Sequence, residues 1–161
     1  MTPDPFLRWP HPVLRTAAAP VGAVTDEHRR IWDRMLDAMY AMPGVGLAAP
    51  QIGVPLRLAV VDAGQGPIRL ADPEVVSASA VLRAHEEASP NLPGVSAVVK
   101  RPRAVTVRFL DVAGARVERN FVMLEATSVQ HQIDHLDGGM FFDRLSRTKR
   151  DMLLRKAAKC A

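Results

Sequence analysis

The chain has 161 residues, 48% hydrophobic and 24% charged, with 21 Lys and Arg against 17 Asp and Glu for a net charge of +4. This excludes a disordered chain and fits one domain, because a chain of this size buries roughly 70% of the surface its unfolded form exposes. A single cysteine, Cys160, excludes an intrachain disulfide, and five prolines interrupt the first twenty residues where a signal peptide needs an unbroken apolar stretch. No apolar run reaches the ~18 residues of a membrane span, so the expected compartment is the cytoplasm.

After the proline-rich arm, Thr25 is placed to cap a helix whose first turn holds Asp26 and Glu27. Ile31, Met35, Leu36 and Met39 fall on one face, and Pro43-Gly44 predicts an end near Tyr40. The next segment, Gly44-Val45-Gly46-Leu47-Ala48-Ala49-Pro50-Gln51, superficially fits a dinucleotide-binding glycine pattern. That reading fails because the motif must follow a strand and open a helix, whereas this one follows a helix and contains Pro50. A tight turn remains, with Gln51 either solvated or aiming an amide donor into a cleft.

Strand character is expected over Leu56–Val61, Val75–Leu82, Ala104–Leu110 and Ala115–Val122. Val105, Val107 and Phe109 alternate with Thr106 and Arg108, and Ala113-Gly114 supplies a turn into the next strand. Between them, Glu87-Ala88-Ser89-Pro90-Asn91-Leu92-Pro93-Gly94 reads as a polar loop ending in a Pro-Gly turn. A second helix over about Leu124–Leu136 stops at Gly138-Gly139 and carries His131-Gln132-Ile133-Asp134-His135. Histidines at i and i+4 share a helix face, so both imidazoles can reach one metal ion, with Asp134 a candidate to accept from an imidazole of a neighbouring turn or to fix the local backbone. Gln132 stands where helical zinc hydrolases carry a glutamate base, and an amide accepts no proton near neutral pH. A third helix, from Ser146 onward, is basic: Arg144 to Ala161 holds seven Lys and Arg against one Asp. Such a tail suits an anionic partner or a solvated helix face. Strands in the middle and helices at both ends give an α+β fold with mixed or antiparallel β-sheets.

In this order and spacing the three segments resemble the motifs of peptide deformylases, metallohydrolases that remove the formyl group from the N-terminal methionine of new bacterial proteins. Gly44–Gln51 is similar to the first motif, G-x-G-x-A-A-x-Q, and His131–His135 to the third, H-E-x-x-H. Glu87–Gly94 aligns with the second, E-G-C-L-S-x-P-G, through Glu87, Pro93 and Gly94. Arg101-Pro102, His135-Leu136-Asp137-Gly138 and Phe142-Asp143-Arg144-Leu145 extend the likeness over nearly the whole chain.

The resemblance implies a peptide-deformylase-like fold around a central helix carrying His131 and His135. It also implies one divalent metal, Fe2+ or Zn2+, held by these histidines and residue 89, with residues 51, 90, 132 and Gly46 in the catalytic machinery. Gly44, Val45, Leu92 and Gly94 would contact an N-terminal (formyl-)Met peptide, and the basic helix a ribosome. Three positions depart from the family pattern: the ligand Cys is Ser89, the Leu that donates its N–H to the formyl oxygen is Pro90, and the base Glu is Gln132. The expectation is a metal weakly held or absent and little hydrolysis, leaving a peptide- or ribosome-binding role. The alternative is an active amide hydrolase whose third ligand is Ser89, Glu87 or His85.

Overall fold

The computed structural model describes residues 4–160. Helix α1 (Asp26–Ala41) begins at Thr25, whose backbone N–H donates to His28 Nδ1 at 3.0 Å, and it buries Ile31, Trp32, Met35, Leu36 and Met39. These pack on β1 (Gly46–Ala48) and β2 (Leu58–Val61), which are apolar because both are covered. With β3 (Ile68–Ala78), β6 (Ala104–Leu110) and β7 (Arg116–Val122) they form an antiparallel sheet in the order β1-β2-β3-β6-β7. The remaining strands, β4 (Leu82–Glu87) and β5 (Ala97–Pro102), make a separate antiparallel pair.

The predicted strand Val75–Leu82 joins the end of β3 to the first residue of β4 across a break at Ser79–Val81, where Ser79 Oγ donates to Val81 O at 2.8 Å; within β3 the alternation is broken earlier, at Asp72-Pro73. Asp72 has φ 49°, and its carboxylate fixes that turn by accepting the N–H groups of Val21 at 2.8 Å and Gly22 at 2.9 Å. A register shift between Ala71 and Glu74 follows, so β3 alternates on either side of a bulge. β1 and β5 are absent from the expected set. β1 has only three residues, and β5 mixes Val98 and Val99 with Lys100 and Arg101 because one of its charged side chains faces inward.

Helix α2 (Met123–Leu136) ends at Gly138, whose φ of 84° suits glycine. It packs between the large sheet and β5 and is buried nearly all round, although eight of its fourteen residues are polar. Burial of these groups requires partners. Gln130 donates to the carbonyls of Pro102 at 2.9 Å and Ala126 at 3.0 Å, and Ser128 donates to Val45 O at 2.9 Å. The backbone of β1 approaches α2 so closely that a Cβ at Gly46 would lie 2.3 Å from Ser128 Oγ.

Helix α3 (Arg147–Lys159) starts at Ser146, whose hydroxyl accepts the Lys149 N–H, and buries Leu153 and Ala157 beside Leu92, Val95, Phe141 and Phe142. Ala161, the last position of the expected basic segment, lies outside the described residues. The N-terminal arm crosses the same end of the molecule. Leu7 N–H donates to Gln51 O at 2.9 Å and Trp9 N–H to Asn91 O at 2.8 Å. Trp9 meets Phe142 edge to face, with the Arg15 guanidinium 4.7 Å from its ring centre.

Candidate active site

One turn of α2 separates His131 from His135, and the two rings lie against each other with centres 4.9 Å apart. Their Nε2 atoms are 3.1 Å apart, close to the roughly 3.4 Å that two imidazoles on one tetrahedral ion would show. His131 Nδ1–H donates to Glu87 Oε1 at 2.7 Å, which turns its Nε2 toward His135. His135 Nδ1 is buried without a partner. Burial first, then the neighbouring His131 and Arg101, push the His135 pKa well below the usual imidazole range, so this ring is neutral at physiological pH.

The group that orients His131 is therefore Glu87, and the expectation that Asp134 supports an imidazole is overturned. Asp134 lies on another face of α2 and accepts from Arg101 Nη1 at 2.8 Å and Arg144 Nη2 at 2.7 Å. Arg101, on β5 and almost fully buried, grips Glu87 with two bonds, Nε to Oε2 at 2.7 Å and Nη2 to Oε1 at 2.9 Å. An unbroken ion chain thus runs Arg144–Asp134–Arg101–Glu87 to the histidine pair. Burial alone would raise the Glu87 pKa, but the His131 and Arg101 contacts outweigh it and hold it at about 2.

Sequence reading missed this use of Glu87, taking residues 87–94 as a loop, because the partner of a buried carboxylate lies fourteen positions away on a different strand. The available signal was the alternation of Arg83, His85 and Glu87 against Leu82, Ala84 and Glu86. The first set is the inward face of β4, and Arg83 reaches Thr127 Oγ1 at 3.1 Å.

The opposite wall is neutral. Gln51 is buried, accepting from Ala48 N at 2.9 Å and donating its amide hydrogens to Asn91 Oδ1 at 2.8 Å and Ser89 Oγ at 3.4 Å. The amide expected to point into a cleft is therefore engaged by the protein itself. Asn91, which the sequence reading did not single out, is the hub: its Nδ2 donates to Leu7 O at 2.6 Å and Gln51 O at 3.0 Å. Ser89 Oγ bonds Asn91 Oδ1 at 3.1 Å and accepts the Asn91 N–H at 3.3 Å.

Between the walls is a cavity of about 120 Å3 lined by Val45, Gly46, His85, Pro90, His131 and Gln132 among others. Gly44, Leu92 and Gly94 do not line it. Gly44 closes α1 by donating to Met39 O, Leu92 packs in the cluster under α3, and Gly94 lies against Cys160 at the end of α3. His135 and Ser89 sit behind the lining, buried.

These donors fit a metal only in part. The imidazole pair supplies two convergent nitrogens, one of them oriented by a carboxylate as metal-bound histidines usually are. The third corner has no anion: Ser89 offers a neutral hydroxyl already bonded to Asn91, Glu87 is held by Arg101, and Cys160 is at the far end of α3. Among the described residues no group of three His, Cys, Asp or Glu is arranged to hold an ion.

A five-stranded antiparallel sheet, a separate β-hairpin and a buried central helix carrying a histidine pair define an α+β fold. The sequence model of the polypeptide deformylase family matches residues 3–151. The chain belongs to that family. A peptide deformylase of Rhizobium meliloti is 42% identical, covering all of this chain and 95% of its own. The crystal structure of a Legionella pneumophila peptide deformylase superposes with a TM-score of 0.88 at 40% identity, covering 96% and 92% of the two chains. That of a Synechococcus elongatus peptide deformylase in complex with actinonin gives 0.91 at 33% identity, covering 98% and 88%. The family is metal-dependent and acts on formylated nascent peptides. Among the described residues no helix is long and apolar enough to cross a membrane.

Proposed function

We propose that this chain keeps the peptide cleft of a deformylase while hydrolysing formyl-methionyl peptides slowly or not at all. The observation that supports this is the pairing of an amide, Gln132, with two convergent imidazoles on a helix whose third metal corner lacks an anion. Gln132 accepts no proton from an attacking water, and loss of a positioned base costs about 10² to 10⁴ in rate. Pro90 has no N–H for the formyl oxygen, and a lost oxyanion donor costs about 10² to 10³. A divalent ion, Fe2+ or Zn2+, would be held by His131 and His135 with Ser89 a poor third ligand, hence weakly.

A peptide has a place to dock. β1 is the edge strand of the large sheet and borders the cavity, so an extended N-terminal (formyl-)Met segment can add along it, with Gly46 admitting the backbone close to α2. The basic face of α3 suits the anionic surface of a ribosome in the cytoplasm. Lys149, Lys156 and Lys159 are exposed there, and changing all three to Glu should abolish co-sedimentation with ribosomes while the fold, read by circular dichroism, is kept.

The deciding experiment is hydrolysis of a short formyl-methionyl peptide by the purified protein loaded anaerobically with Fe(II), and separately with Zn(II) or Ni(II). The expected result is turnover at least about 10⁴-fold below that of the triple variant Ser89→Cys, Pro90→Leu, Gln132→Glu. Turnover within tenfold of the triple variant, abolished by His131→Ala, would overturn the reading in favour of an active hydrolase with an atypical metal site.

A further inference from the structure

The cavity beside the histidine pair, at about 120 Å3, has room for about four waters. Gln132 reaches it from α2 and is only 4% exposed, and the two ends of its amide have different settings. Oε1 is sealed in the interior without a partner. Nε2 also donates to no group among the described residues, but it is not sealed, and it is the end left open to the cavity. It lies against Gly46, where an added Cβ would come within 2.5 Å of it, so the missing side chain is what lets the amide stand at the cavity wall. An amide nitrogen offers two hydrogens and accepts none.

The donors of the loop after β4 and of its neighbour Gln51 are spent elsewhere. Both amide hydrogens of Gln51 go to Asn91 and Ser89, and Pro90 has no N–H. The N–H groups of Asn91 and Leu92 fold back onto Ser89 Oγ at 3.3 Å and Ser89 O at 3.0 Å. A buried donor left unmatched is unfavourable, and a ligand oxygen that meets it removes that cost. No Lys or Arg lines the cavity, so an anionic oxygen would lack a counter-charge there, whereas a neutral carbonyl oxygen needs only the donor.

We infer that Gln132 is a specificity-determining residue whose Nε2–H donates to the carbonyl oxygen of an N-terminal formyl group, so that the cleft holds the capped terminus in preference to the free one. The inference rests on the peptide-binding reading above. The side chain that cannot take a proton from water here grips the group that a hydrolase would remove, and the formyl peptide becomes a retained ligand.

Isothermal titration of the full-length protein, as purified, with formyl-Met-Ala-Ser amide and with Met-Ala-Ser amide tests it. The formyl peptide should bind at least tenfold tighter at pH 7. The preference should persist at pH 9.5, where the free amine, with a pKa of about 8, has lost its charge and only the oxygen distinguishes the two. Gln132→Met, which keeps the length and removes the donor, should weaken the formyl peptide at least fivefold and the free amine less than twofold. Should Gln132→Met not fold, the side-chain amide signals of Gln132 in the 15N-labelled parent decide: they should shift on saturation with the formyl peptide and stay in place with the free amine. Equal affinity for the two peptides, a Gln132→Met variant that binds the formyl peptide as tightly as the parent, or unmoved Gln132 signals overturn the inference and leave the peptide-binding reading standing. Failure of both peptides to bind overturns the two together.

Discussion

The two walls of the cleft are built from opposite materials. On the α2–β4–β5 side a chain of charges, Arg144–Asp134–Arg101–Glu87, ends on His131. On the side of β1 and the loop after β4, a neutral cluster of Gln51, Ser89 and Asn91 closes on itself. A buried charge demands a full complement of partners, so the first wall fixes the imidazoles in place. Neutral groups satisfy one another locally, so the second wall can hold its loop without presenting anything to a ligand.

The largest effect should come from breaking the charged wall. Glu87→Ala leaves Arg101 buried with Asp134 alone and should destabilise the protein by about 3–5 kcal/mol in urea unfolding, whereas an equal loss from Ser89→Ala would erase the contrast.

Acid separates the walls next. Glu87 is held at about 2 against an ordinary value of 4.5, so its contribution is full above pH 4.5 and is lost as pH falls toward 2. His135 is depressed below 6.5, so the unfolded chain gains a proton that the folded one refuses, and stability begins to fall below pH 6.5. Urea midpoints from pH 8 to 3 should therefore decline in two stages, and the lower stage should vanish in Glu87→Gln.

The neutral wall should yield less. Asn91→Ala removes the hub between Leu7, Gln51 and Ser89 and should cost about 1–3 kcal/mol, with faster amide exchange at Trp9, whose N–H donates to the Asn91 carbonyl. Ser89→Ala removes only bonds of 3.1–3.4 Å and should cost about 1 kcal/mol. Its Zn(II) affinity, read by titration against a chromophoric chelator, should match that of the parent; a tenfold loss would make the Ser89 hydroxyl a true ligand.

Much of this architecture was legible in the residues themselves. The apolar face of α1, the alternation in β6 and the glycine after α2 are local features, and they placed these elements to within a residue or so. β3 and β4 ran together because the break between them, Ser79–Val81, holds neither glycine nor proline to mark it. The histidine pair was visible because i and i+4 share a helix face whatever surrounds it. Sequence alone thus determined the helices, the α+β order and the two imidazoles of the site. Only the tertiary structure decided that Glu87 rather than Asp134 orients His131, that Asn91 takes the amide of Gln51, and that Gln132 and His85 line one cavity. The physical reason is range: helical spacing and strand alternation are fixed within a few residues, whereas the partner of a buried polar group is whichever side chain the packed fold brings within 3 Å.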